Sequence, residues 1–240
     1  MKIDILAIGA HPDDVELGCS GTLMKQIELG YKVGIIDLTK GELGTRGSAE
    51  TRAQEVEVST AIMGAKVREN MGFADGFFMN DKEHQIELIK MIRRYQPSVV
   101  LTNARHDRHP DHGHAAQLTY DACFLSGLSK IETTLNGKKQ KAYRPVAVYN
   151  YIQALHAEPD FVVDISAYFE RKMQTIHAFK TQFFNGETDS TENQTFISSP
   201  GFMEFVKGRA IHFGVPIGVK YAEAYTVNRT IGVNDMMSLL

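Results

Sequence analysis

The sequence predicts an α/β protein, a Rossmann-like three-layer sandwich around a mostly parallel central sheet. Three observations lead there. Short apolar runs of strand length alternate with segments of helical periodicity. The first strand, helix and second strand fit within about 40 residues, the span of a right-handed βαβ unit. Polar or glycine-bearing turns follow the predicted strands, where open parallel sheets bind ligands.

The run Ile3–Ile8, ending at Gly9, reads as a strand buried on both faces. After His11-Pro12-Asp13-Asp14, the residues Leu17, Leu23, Met24 and Ile27 recur at roughly helical spacing up to Gly30, a helix stop. Val33–Leu38 is a second buried strand. The loop Lys40–Gly47 leads into a helix over Ala49–Met63, and Lys66–Met71 reads as a short strand. Glu83–Tyr95 is an amphipathic helix with Ile86, Leu88, Ile89 and Ile92 inward, closed by Pro97. Val99–Thr102 is the next strand, followed by a histidine-laden loop and a helix near Gly113–Leu128. Gly137–Arg144 carries three lysines and reads as a solvated connection. Ala147–Ile152 and Phe161–Ile165 are further strands, and Ala167–Phe179 a helix. Phe184–Ser199 is polar, a long surface loop or lid, while Phe202, Phe205 and Val206 read as core. With no internal repeat or composition break, residues 1–240 are expected to form one domain.

Composition narrows the function. A chain of 240 residues that is 43% hydrophobic can build a core without disulfides or structural metal, so any metal needs a functional reason. The 26 Lys and Arg against 29 Asp and Glu, net −3, argue against general nucleic-acid binding. Cys19 and Cys123 are too few for a disulfide framework, which points to the reducing cytoplasm. The first apolar run is too short to span a bilayer and is interrupted by Asp4, so it is neither signal peptide nor anchor.

Four of the nine histidines, His106, His109, His112 and His114, fall within nine consecutive positions directly after a predicted strand. The turn His11-Pro12-Asp13-Asp14 also follows a strand, so the sheet brings both clusters to one edge. Imidazoles and carboxylates converging without a cysteine motif suit a catalytic zinc site with three protein ligands and one open position. Two histidines and one aspartate are the expected set. His11 and Asp14, and equally His109 and His112, stand three apart, a spacing that a turn folds onto one side. Asp13 then projects differently from Asp14 and is free to act on water. Helix capping by either aspartate is the plain alternative for one such turn, but not for two. The loop Gly41–Gly47 matches neither a dinucleotide nor a Walker pattern. Its place on the same edge makes Arg46, Arg52 and Arg108 candidates for gripping an anionic or hydroxyl-rich substrate.

Ala10-His11-Pro12-Asp13-Asp14 together with His109-Pro110-Asp111-His112 resembles the paired signature of the zinc-dependent N-acetylglucosaminyl deacetylase family (PIG-L/LmbE-like), which includes phosphatidylinositol glycan class L and mycothiol-pathway enzymes. Glu16-Leu17-Gly18-Cys19, Gly41–Gly47, Arg105-His106-Asp107-Arg108 and Phe161–Ser166 extend the resemblance toward the bacillithiol-biosynthesis branch, which deacetylates N-acetylglucosaminyl malate. The resemblance implies a Zn²⁺ cofactor held by His11, Asp14 and His112, with Asp13 as general base and His109 stabilising the tetrahedral intermediate. It also implies a cytoplasmic homo-oligomer, up to a hexamer, acting on a small amino sugar. Asp111 is expected to support a charged His109. Two rivals use the same residues: a zinc hydrolase of other N-acetylated sugars or amides, and a non-catalytic, metal-dependent sugar-binding module.

Overall fold

A computed structural model describes residues 1–183 and 195–239. Its elements run β1 (Ile5–Gly9), α1 (Asp14–Glu28), β2 (Val33–Thr39), α2 (Ala49–Met63), β3 (Val67–Phe73), α3 (Lys82–Tyr95), β4 (Val99–Thr102) and α4 (Pro110–Leu125). A short hairpin follows, β5 (Thr134–Leu135) and β6 (Lys138–Lys139), then β7 (Ala147–Tyr151), β8 (Phe161–Asp164), α5 (Phe169–His177), α6 (Pro200–Gly214) and β9 (Ala222–Val227). Among the described residues the main sheet has seven strands in the order β3-β2-β1-β4-β7-β9-β8. The pairs from β3 through β7 are parallel, and β9 runs antiparallel between β7 and β8. The expected mostly parallel α/β sandwich is therefore the observed one.

Alternation along the central strands divides the core. Leu6, Ile8, Ile36 and Leu38 meet Leu88, Ile89 and Ile92 of α3 and Ala115 and Leu118 of α4. Ala7, Val33 and Ile35 meet Val15, Cys19 and Leu23 of α1 on the opposite face. Because both faces are covered, these strands read as continuous apolar runs. Gly18 lets α1 sit tight: a Cβ there would lie 2.2 Å from a ring carbon of Tyr151. Both cysteines are buried and free, and none of the described helices is long and apolar enough to cross a membrane.

Several expectations shift. The helix expected from Gly113 begins at Pro110, because His109 caps it and proline suits a first helical turn. The lysine-bearing segment contains β6, turned back through Asn136 and Gly137 at φ 50° and 73°. Helix α6 and strand β9 are additions to the expected elements. The strand pattern of β9 is masked by Glu223, its second residue, which is buried and paired with buried Lys172 at 2.6 Å. Of the apolar stripe on α6, Phe202 and Val206 are buried, but Phe205 is 38% exposed. Of the polar stretch expected as a loop or lid, residues 184–194 lie outside those described.

The placement of β1 matters most. It lies between β2 and β4 and is parallel to both, so the turns after β1 and β4 leave the sheet on the same edge and side by side. Here the chain's lateral progress across the sheet reverses, the switch point at which such folds bind ligands.

Candidate active site

The two turns bring His11, Asp14 and His112 together. One Asp14 oxygen lies 3.1 Å from His112 Nε2, and the other lies 3.5 Å from His11 Nδ1. The carboxylate is held in place by the backbone N–H of His11 (2.9 Å), the Asn103 amide (3.0 Å) and the Gln153 amide (2.6 Å). Burial alone would favour its neutral form. The His112 and His11 imidazoles outweigh that and hold Asp14 well below the usual carboxylate range.

Each imidazole is braced from behind. His112 Nδ1 contacts Asp107 at 2.7 Å, while Asp107 also accepts the backbone N–H of Leu155 at 2.7 Å. His11 Nε2 contacts Asp75 at 3.0 Å and Asp111 at 3.3 Å. Burial works against protonation of both rings. Carboxylates reverse the balance, raising His11 well above its ordinary value and His112 to about 9. A ring nitrogen held by a carboxylate leaves the other oriented, the arrangement of metal-ligating histidines.

Asp13 sits beside this cluster at the N-cap of α1, with φ 142°. A non-glycine residue at such a φ stores about 1 to 3 kcal/mol of strain and persists where the surroundings over-determine it. Among the described residues no hydrogen bond reaches its carboxylate, and Arg52 Nη1 stands 3.7 Å away. Burial pushes the Asp13 carboxyl up to about 7, against the pull of Arg52 and with a further push from Asp14. Asp14 joins the histidines and Asp13 pairs with Arg52, while both line the cavity.

His109 forms the third wall, with its ring centroid 4.6 Å from that of His11 and 5.5 Å from that of His112. Its Nδ1 accepts the backbone N–H of Asp111 at 3.2 Å, so the proton of the neutral ring is on Nε2. Burial, then the neighbouring His11 and His112, lowers its pKa. The Asp111 side chain does not reach His109. It serves His11 and accepts the Gly76 N–H at 2.8 Å, because Asp111 is the second residue of α4 and its side chain turns toward the other loop. The expected charged His109–Asp111 pair is thus replaced by a neutral, backbone-capped imidazole.

These groups form the floor of a cavity of about 320 Å³. The loop after β2 supplies Gly41, Leu43, Gly44 and Thr45 to its wall. Gly41 and Gly44 make room for the Arg52 guanidinium, since a Cβ on either would lie 2.7 or 2.9 Å from it. Arg52 and Arg108 line the cavity, whereas Arg46 is buried and is not among the described residues lining it. Thr195, Phe196 and Ile197, from the end of the expected loop, also line it. Sequence reasoning does not single out Asp75, Asn103, Asp107, Gln153 or Arg209. Nothing local marks them, because each acts on a partner distant along the chain or across a turn. Cys19 is packed away from the site, and His106 is exposed.

The donor set fits a divalent cation. Two carboxylate-braced imidazole nitrogens and one carboxylate, with no thiolate, match zinc and similar borderline ions. Two other trios have ligand atoms all within 4.8 Å of one another, His11, His109 and His112, and His11, Asp75 and Asp111, whereas His11 and His112 approach different oxygens of Asp14. Among the described residues no carboxylate bonds the His109 ring, and Asp75 and Asp111 are engaged with His11 Nε2, which favours His11, Asp14 and His112 as the trio that could hold a metal.

A sequence model described as PIG-L, GlcNAc-PI de-N-acetylase, matches residues 6–123 of this chain. The diacetylchitobiose deacetylase of Thermococcus kodakarensis is 28% identical over 231 residues, 91% of this chain and 80% of that protein. A probable N-acetyl-alpha-D-glucosaminyl L-malate deacetylase 2 of Bacillus anthracis is 23% identical over 198 residues, 77% of this chain and 84% of its own. Among solved structures, the conserved protein TT1542 from Thermus thermophilus is 33% identical with a TM-score of 0.84, covering 97% of this chain and 98% of that one.

Proposed function

This chain belongs to the PIG-L family of deacetylases, and on that premise we propose that it is a zinc-dependent hydrolase that removes the acetyl group from an N-acetylglucosaminide, with N-acetylglucosaminyl malate as the favoured substrate. The observation that carries the reading is the Asp14 carboxylate set between His11 and His112, with Asp13, paired only with Arg52 among the described residues, lining the same cavity. His11, Asp14 and His112 would hold the cation. When bound, it supplies Lewis acidity, lowering the pKa of water from about 16 toward about 7 and polarising the acetamide carbonyl.

The protein's own residues do the rest. Asp13 accepts a proton from the attacking water as its oxygen bonds to the carbonyl carbon. The Nε2–H of neutral His109 donates to the developing oxyanion, its direction set by the cap at Nδ1. The C–N bond then breaks, Asp13 returns its proton to the departing sugar amine, and acetate leaves. Arg52 stands beside Asp13, where it steadies the carboxylate; Arg108 at the cavity wall is assigned to the aglycone.

A cytoplasmic homo-oligomer belongs to the same reading, and the exposed Phe77 and Met79, next to cavity-lining Gly76, are apolar surface suited to self-association. The test is release of free amine from a panel of N-acetylglucosaminides by metal-analysed protein. Chelator-sensitive release from sugars is expected. Release from acetylated peptides alone, or sugar binding without turnover, would defeat the reading.

A further inference from the structure

The cavity lining also includes a cation that sequence reasoning does not find. Arg209, on α6, lines the cavity and is partly buried. Its Nη2 donates to the Leu17 carbonyl at 3.0 Å, and its guanidinium lies 5.4 Å from the ring centroid of Phe205. Among the described residues no carboxylate stands within ion-pair distance of it. A guanidinium carries five N–H donors in a planar fork, and one bond to Leu17 leaves most of them for another acceptor. The contrast with its neighbours is plain: Arg52 is committed to Asp13 and the Pro12 carbonyl, and Arg68 to Asp37 and Glu16.

An underpaired cation in a partly desolvated wall is costly unless a ligand supplies the counter-charge. We propose that Arg209 determines specificity by binding an anionic group, a carboxylate or a phosphate, carried on the aglycone of the amino sugar. The inference rests on the deacetylase reading: with the acetamide at Asp13 and His109, the rest of the sugar extends toward the cavity walls. Burial lowers the Arg209 pKa to about 10 against the pull of the more distant Glu223 and Asp107 carboxylates, and leaves it charged at neutral pH. Leu17 lies one turn beyond Asp13 on α1, so Arg209 also ties this wall to the helix that begins the site.

The experiment compares wild type, Arg209→Gln and Arg209→Lys on N-acetylglucosaminyl malate, N-acetylglucosamine 1-phosphate and neutral N,N'-diacetylchitobiose, with calorimetric binding of the deacetylated products. Arg209→Gln is expected to reduce kcat/KM for an anionic substrate about tenfold or more beyond its effect on diacetylchitobiose, mainly through KM. Arg209→Lys should recover part of the loss. The substrate with the larger selective loss tells carboxylate from phosphate. Equal losses on all three substrates would reduce Arg209 to a support for Leu17 and overturn the proposal. If Arg209→Gln does not fold, Arg209→Lys decides: its binding of the malate-bearing product is expected to weaken relative to that of the neutral product, and an unchanged ratio of the two affinities overturns the proposal. Tight binding of the malate-bearing product with no turnover of any substrate would defeat the deacetylase reading while upholding the anion subsite.

Discussion

The turn after β1, His11-Pro12-Asp13-Asp14, and the turn after β4, His109-Pro110-Asp111-His112, share three of four letters, and each follows a parallel strand, the first directly and the second after the loop from Asn103 to Arg108. Their backbones differ by where the helix starts. In the first turn α1 begins at the fourth residue, Asp14, and the third, Asp13, is left at the N-cap with φ 142°. In the second, α4 begins at the second residue, Pro110, and the first, His109, is the cap. The third letter is therefore an aspartate in both turns with opposite consequences. Burial raises the Asp13 carboxyl to about 7, whereas for Asp111 hydrogen bonds from His11 and Gly76 overcome burial and hold it below its ordinary value. One faces the cavity, and the other braces an imidazole. The letters set the chemistry available; the register of the helix start sets which atom uses it.

Replacing the fourth residue of the second turn tests the convergence of the two turns most severely. His112→Ala should lose both stoichiometric metal and measurable turnover, read by metal analysis and acetate release. Retention of full metal content would mean that the turns do not share one ion. Next, Asp13→Asn should keep the metal but slow turnover by about 10² to 10⁴-fold, the range for a lost general base; near-normal hydrolysis would assign the base elsewhere. Asn tolerates positive φ better than most residues, so this change separates charge from backbone strain.

Asp111→Asn, the matching change in the second turn, should instead weaken metal affinity by about 10 to 100-fold, as loss of a carboxylate behind a ligand does. Competition against a chelator measures it. A turnover loss as large as that of Asp13→Asn with metal affinity intact would erase the distinction between the two aspartates. The smallest effect is expected at the wall. Arg108 is exposed and rests 4.9 Å over the Phe196 ring, so Arg108→Ala should raise KM for an acidic aglycone several-fold, in line with about 1 kcal/mol for one solvent-screened contact. Equal changes for plain N-acetylglucosamine would remove Arg108 from aglycone recognition.

Strands and turns also differ in how much of them is legible locally. The strands Ile5–Gly9 and Val99–Thr102 stand out because strands covered on both faces must be apolar throughout, and that alone puts both turns on one edge. Strand β9 does not stand out, because its buried Glu223 is compensated by Lys172, which lies 51 residues away. The expected role of Asp111 at His109 follows from proximity in sequence, which says nothing about the direction of a side chain at the second position of a helix.

The amino-acid sequence by itself determined the alternation of strands and helices, the edge on which the polar turns emerge, and the imidazole and carboxylate chemistry available there. These follow from periodicity and from spacings of a few residues, which act within one turn of backbone. Tertiary structure alone decided that Asn103 and Gln153, 89 and 139 residues from Asp14, orient its carboxylate. It also decided that Asp75 and Asp107 brace the histidines, and that Arg209 from α6 reaches the cavity wall. The direction of a buried polar side chain is set by whichever partners the packed core brings within about 3 Å, and no local spacing encodes that encounter.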